Sequence, residues 1–163
     1  MTWDVENTNA QNVYYLHGAL YVFDAGAEIQ KYTWINTGVR LVDQIRVALK
    51  RNFYPLFVAE GESSQKLAQI QHSGYLNRGY RSFANIGGSL FIFGHSMADS
   101  DDHIMNLITK NKVEEVYISL HGQPDSAANK FIIKKVEKLS SGRKRNRPFD
   151  IAYFDAASAK VWG

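Results

Sequence analysis

The sequence predicts one α/β domain over residues 1–163, built on a mainly parallel sheet of about five strands with helices on both faces. Short runs rich in β-branched and aromatic residues recur at 13–16, 56–58, 90–93, 116–119 and 151–154, the pattern of buried strands. Segments with helical spacing lie between them. Strands alternating with helices of this length imply right-handed crossovers and a parallel sheet, a three-layer, Rossmann-like arrangement.

The first helix is marked by Leu41, Ile45, Ala48 and Leu49, a stripe that buries one face. A later one is marked by Ile104, Leu107 and Ile108, and a third by Ala128, Phe131, Ile132, Val136 and Leu139. Ser100 followed by Asp101 and Asp102, and Asp125 followed by Ser126, suit helix N-termini, where acidic and hydroxyl side chains meet unpaired N–H groups. Gly142 suits a helix terminator. Between Ser64 and Asn85 the periodicity is broken by Gly74 and Gly79, which predicts two short helices or a kink. Before the first helix, 19–23 and 31–34 flank a turn at Asp24 to Gly26, as in a hairpin.

Composition bounds the function. A chain of 163 residues is long enough to bury a core without staples, and it has no cysteine, which excludes disulfides, thiolate zinc sites and a cysteine nucleophile. The cytoplasm is therefore the expected compartment. The first twelve residues are polar and acidic rather than basic then apolar, so they read as no secretory signal, and no apolar run has the length of a membrane span. The net charge is +3, with Arg143, Lys144, Arg145 and Arg147 gathered in one stretch. That stretch lacks interleaved aromatics and reads as an exposed loop rather than a nucleic-acid patch.

The candidate chemistry lies after the strands. Leu16-His17-Gly18, Ala59-Glu60-Gly61-Glu62, Gly94-His95-Ser96, Leu120-His121-Gly122 and Asp155-Ala156-Ala157-Ser158 each follow an apolar run, so in a parallel sheet they would meet along one edge, the usual binding crevice. His17 stands out because Gly18 lets the chain turn sharply and leaves an imidazole able to take a proton near neutral pH; the competing reading is a histidine bonded to a neighbouring loop. The Gly94-His95-Ser96 turn suits a ribose or a phosphate, and Asp99, Asp101 and Asp102 nearby favour the ribose, since they already occupy the positive helix end. His95, Asp99, Asp101, Asp102 and His103 also raise a metal, but the adjacent aspartates converge poorly on one ion and helix capping is the stronger reading, so no metal is expected. Glu60 could bind ribose hydroxyls or act as an acid or base, while Glu62 suits a helix cap. There is no Gly-x-Ser-x-Gly elbow of a serine hydrolase.

Tyr14-Tyr15-Leu16-His17-Gly18, Pro55-Leu56-Phe57-Val58-Ala59-Glu60-Gly61, Phe93-Gly94-His95-Ser96-Met97 with Asp102-His103-Ile104, and the closing Phe154-Asp155-Ala156-Ala157-Ser158 stretch resemble the family called domain of unknown function 4917, which is similar to sirtuins. The resemblance implies a sirtuin-like sheet in which His17 is the general base that activates a ribose hydroxyl of NAD. It places Gly94, His95 and Ser96 at the nucleotide, with His95 where sirtuins carry threonine; Gly18 and Glu60 join the candidate nucleotide contacts from their own positions at strand ends. The strand ending at Ser119 then corresponds to the one that ends near the adenosine ribose, and His121 is a candidate contact from its place after that same strand. No glycine-rich pyrophosphate loop precedes Val13 and the four-cysteine zinc module is absent, so the chain reads as the C-terminal portion of a sirtuin-like domain. NAD hydrolysis or ADP-ribosyl transfer is the expected chemistry in a complete parent, with a nucleotide or small molecule as ligand. The alternative is a non-catalytic binding or assembly domain, a homo-oligomer or one that awaits a missing N-terminal half.

Overall fold

A computed structural model describes residues 13–33, 35, 37–143 and 149–161. The chain is mixed α/β, and it divides into two compact units, Met1–Gly61 with Gln65–Tyr80, and Glu62–Ser64 with Arg81–Gly163.

The first unit carries strands β1 (Gly18–Asp24), β2 (Ile29–Lys31) and β3 (Tyr54–Phe57), and helix α1 (Leu41–Lys50) lies between β2 and β3. Its sheet has the order β2-β1-β3 and both pairings are antiparallel, with Val22 opposite Lys31 and Gly18 opposite Phe57. The hairpin expected around Asp24 is present, and the Asp24 carboxylate takes the Gly26 N–H at 2.8 Å. β3 is an edge strand, which is where Pro55, lacking an N–H, can sit. A small core joins Val58 to Ile70 and Leu76.

Residues 63–83 form two helices, α2 (Ser63–His72) and α3 (Gly74–Phe83), so the expected break falls at Ser73. The Ser73 carbonyl takes the Asn77 N–H and its hydroxyl takes the Leu76 N–H, so Ser73 caps α3. Gly79 is buried inside α3, where an added Cβ would lie 3.5 Å from the Tyr14 ring and 3.6 Å from Leu16.

The second unit contains β4 (Gly87–Ile92), a 3₁₀ turn over Asp99–Asp101, α4 (Asp102–Ile108), β5 (Lys112–Leu120), α5 (Ala127–Ser141) and β6 (Asp150–Asp155). Its three strands are parallel in the order β4-β5-β6. Two consecutive right-handed crossovers in that order put both helices on one side, and α4 and α5 indeed touch. Val116 and Ile118 of β5 are buried with Ile104, Ile108, Ile132 and Val136. On the opposite face of the sheet Phe91 is 66% exposed and stacks on Tyr117 at 4.6 Å. Ser126 caps α5 by taking the Asn129 N–H, and Gly142 ends it in an ordinary right-handed conformation.

The expected five-strand parallel sheet is therefore corrected to a three-strand parallel sheet and a separate small antiparallel one. Residues 13–16 form no strand, and 56–58 belongs to an antiparallel edge strand. In the second unit the helices cover one face rather than two. Of the basic run, Arg143 is half-buried, lies 5.5 Å from the Phe149 ring centroid and donates to the Asn111 carbonyl at 3.1 Å. Lys144, Arg145 and Arg147 lie outside the described residues, as do Trp34, 1–12 and 162–163. No helix among the described residues is long and apolar enough to cross a membrane.

Candidate functional site

Parallel register brings three of the sequence-singled turns side by side in the second unit. Ile92 lies opposite Ile118, and Leu120 opposite Asp155, so the residues after β4, β5 and β6 emerge at one sheet edge. Gly94 (φ +66°) begins the first turn and gives its N–H to the buried Ser119 hydroxyl at 2.9 Å, which ties the end of β4 to β5. Ser119 thus has a structural duty that its place in a strand did not reveal.

His95 closes the same turn on itself. Its Nδ1 takes the Met97 N–H at 2.9 Å, so in the neutral ring the proton sits on Nε2, which lies 3.6 Å from an Asp101 carboxylate oxygen. Met97 is held at φ +56°, uncommon for a side chain of its size, and is buried. Ser96 is exposed between them.

The second turn is fixed from α5. The buried Asn129 side chain donates to the His121 carbonyl at 3.0 Å and to the Gln123 carbonyl at 2.7 Å, and the His121 residue itself is exposed. In the third turn Asp155 takes the Ala157 N–H at 3.0 Å, and Ser158 donates back to the Asp155 carbonyl.

The edge is acidic. Lys135 of α5 pairs with Asp99 and, at 2.7 Å, with Asp102, while Asp101 faces His95. Hydrogen bonding to Lys135 holds the Asp99 carboxyl below the usual range. Burial works against the Lys135 charge, yet its hydrogen bonds to Asp102 and Asp99 win and raise its pKa. Three carboxylates against one ammonium leave a net negative turn, which repels a phosphate and accepts hydroxyl donors.

Sequence reasoning missed Ser63, forty residues from its partner. Its hydroxyl takes the His103 N–H at 2.7 Å and lies 3.2 Å from His103 Nδ1. That hydroxyl caps an orphan donor in the first turn of α4, a duty that the Asp101 side chain does not perform. A hydroxyl has one proton and two lone pairs, so it can accept from the backbone and still either donate to Nδ1 or accept from it, according to the tautomer of the His103 ring.

His17 and Glu60 belong to the first unit, and the reasoning that placed them is corrected. His17 precedes β1 instead of following a strand. Its carbonyl takes the Val58 N–H at 2.8 Å, and antiparallel pairing sets it at the same end of that sheet as the exposed Glu60 after β3. Gly18 (φ +75°) has a plain packing reason: a Cβ there would stand 1.8 Å from the Leu56 carbonyl oxygen. Strand parallelism accordingly groups Gly94, His95, Ser96, Ser119 and His121, and it does not extend to His17.

The first unit holds one more cluster that no motif announced. The half-buried Tyr15 ring meets Tyr21 edge-on at 5.6 Å, and the Lys31 ammonium stands 4.9 Å from its centroid.

No curated protein and no solved structure matches the chain. The family described as Domain of unknown function (DUF4917) matches residues 1–162. With that match spanning nearly every residue, the chain belongs to that family.

Proposed function

We propose that the second unit binds the ribose of an NAD-related nucleotide at the edge formed by Gly94, His95, Ser96, Ser119 and His121. The observation that carries this reading is the set of three neighbouring turns at the carboxyl ends of parallel strands, where open α/β sheets take their ligands. Nothing lies within 4 Å of a Cβ position on Gly94 or Gly122, which leaves room for a ligand against the backbone. The residues fit a sugar diol and do not fit a pyrophosphate. The Gly94 N–H is spent on Ser119, and the carboxylates of 99–102 disfavour an anion.

The catalytic part of the proposal is sirtuin-like: hydrolysis of NAD or transfer of ADP-ribose, with His17 as the general base. It rests on the resemblance of the His17-Gly18 pair. Incubation with NAD tests it by nicotinamide release, compared between the wild-type chain and His17→Ala; equal release removes His17 from the chemistry. Calorimetric titration with NAD, ADP-ribose and adenosine tests the binding part. Binding of ADP-ribose and adenosine with similar affinity fits a ribose site that makes no use of the phosphates, and no heat from any of them refutes it.

A second reading, a non-catalytic assembly domain, is favoured by the exposed aromatic face of the parallel sheet, where Phe91 is 66% and Phe93 42% exposed. Sedimentation decides it: a strictly monomeric, folded chain at micromolar concentration counts against assembly with itself.

A further inference from the structure

The two ring nitrogens of His95 have separate duties. Nδ1 takes the Met97 N–H at 2.9 Å, which it can do only with a bare lone pair. Nε2 carries the proton of the neutral ring and lies 3.6 Å from an Asp101 carboxylate oxygen. A second proton on this ring therefore lands on the atom that holds Met97. Two N–H groups would then face each other across the same gap, and no hydrogen bond forms between two donors. On the far side of the ring the same proton strengthens the contact with Asp101, because both partners are then charged.

What depends on the Met97 bond is a turn held from outside. Met97 stands at φ +56° with its side chain buried, a left-handed backbone that a residue of this size keeps only where its surroundings impose it. The bond to His95 is one of the contacts that impose it. The two ends of the turn are tied differently: the Gly94 N–H goes to the Ser119 hydroxyl at 2.9 Å, which does not titrate, and the Met97 N–H goes to a ring that does. The Asp101 N–H is bonded to the Ala98 carbonyl at 2.9 Å, so the carboxylate facing the ring has an anchor of its own beyond Met97. The neighbouring charges, Asp99, Asp102 and Lys135, are engaged with one another. His95 is half-buried, which leaves its ring in reach of protons from water.

We propose that His95 is a positioning residue and a pH-sensitive latch: its neutral ring keeps Ser96 and Met97 in the shape of the ribose edge, and its protonation releases them. The consequence for the ligand rests on the ribose reading given above, whereas the release of the turn does not.

The test is amide hydrogen exchange on the full chain, read as protection factors at about pH 8 and about pH 5, on either side of the usual histidine range. At the lower pH the protection of the Met97 amide is expected to fall by about tenfold, the worth of one such bond, while that of Gly94 is kept. His95→Asn is the decisive variant, because an asparagine oxygen takes the N–H two residues on and does not titrate. It is expected to keep Met97 protected at both pH values. Adenosine affinity by calorimetry is expected to fall by about tenfold over the same interval in the wild-type chain and to stay level in His95→Asn. Equal Met97 protection at the two pH values in the wild-type chain overturns the latch, and so does a pH-dependent loss that His95→Asn retains. Should His95→Asn fail to fold, the wild-type exchange decides alone. If Met97 protection falls as expected but adenosine binds at neither pH, the latch stands and the ribose reading fails.

Discussion

Replacing Gly18 with alanine drives a methyl group into the backbone of β3. The new Cβ would stand 1.8 Å from the Leu56 carbonyl oxygen and 2.7 Å from its carbon, both main-chain atoms that no rotamer change can move aside. The backbone at φ +75° adds the left-handed penalty, about 1–2 kcal/mol for a residue with a Cβ. Forcing a methyl into a filled space costs about 1–3 kcal/mol more. The sum, about 2–5 kcal/mol, is a large part of an ordinary domain stability of about 5–15 kcal/mol. At a urea slope of about 2 kcal/mol/M the unfolding midpoint falls by about 1–2.5 M. Gly26→Ala is the control, because its φ is +86° but nothing lies within 4 Å of its Cβ position. It carries the left-handed penalty alone and is expected to lose about 0.5–1 M. Urea curves followed by far-ultraviolet circular dichroism separate the two terms, and equal midpoints for the two variants would refute the close antiparallel approach of β1 to β3.

Ser119→Ala removes the acceptor of the Gly94 N–H and is expected to cost about 1–2 kcal/mol in urea unfolding, with faster hydrogen exchange at the Gly94 amide; unchanged exchange would show that the bond does not hold the turn. Lys135→Met is expected to lower the thermal midpoint at neutral pH, with the difference from wild type narrowing at both extremes. The lowered Asp99 pKa makes its contribution full above about pH 4 and lost as pH falls through the folded value; the raised Lys135 pKa makes its contribution full below about pH 10 and lost as pH rises through the folded value. A difference that is constant from pH 2 to 12 would contradict the pairing. In the neutral ring of His95, nitrogen-15 spectra are expected to show the proton on Nε2 and a bare Nδ1, and the opposite tautomer would rule out the bond from Met97.

The sequence was legible where hydrophobic pattern and pairing had the same cause. Residues 90–93, 116–119 and 151–154 pair in one parallel ladder, and all three lie in strands or at a strand end; the central run 116–119 is largely buried, while Phe91, Phe93 and Tyr153 of its neighbours are exposed. The break at Gly74 and the cap at Ser126 were legible for a similar reason, since caps and helix ends have local chemistry, whereas Gly79, the other expected break, lies inside α3. Residues 13–16 have the same composition but another cause: Tyr14 and Leu16 are apolar because they approach Gly79 of α3, and packing on a helix leaves the same trace as packing in a sheet. From that misplaced strand came the expectation that His17 follows a strand, whereas it precedes β1. Two signals could have prevented it. Pro55 argues for an edge strand, and Gly18 marks a close approach at the start of a strand as readily as a turn after one. The Ser63–His103 contact and the Tyr15–Lys31–Tyr21 cluster were not legible, because each depends on tertiary placement and has no fixed spacing.

We propose above that the turns after β4 and β5 hold a ribose. Amide nitrogen–proton spectra recorded during titration with ADP-ribose test it most directly. The expected result is saturable shifts concentrated at Gly94, His95, Ser96, Met97 and Gly122, reproduced by adenosine and abolished by Ser119→Ala. Absence of shifts at those amides, or shifts confined to other segments, would contradict it.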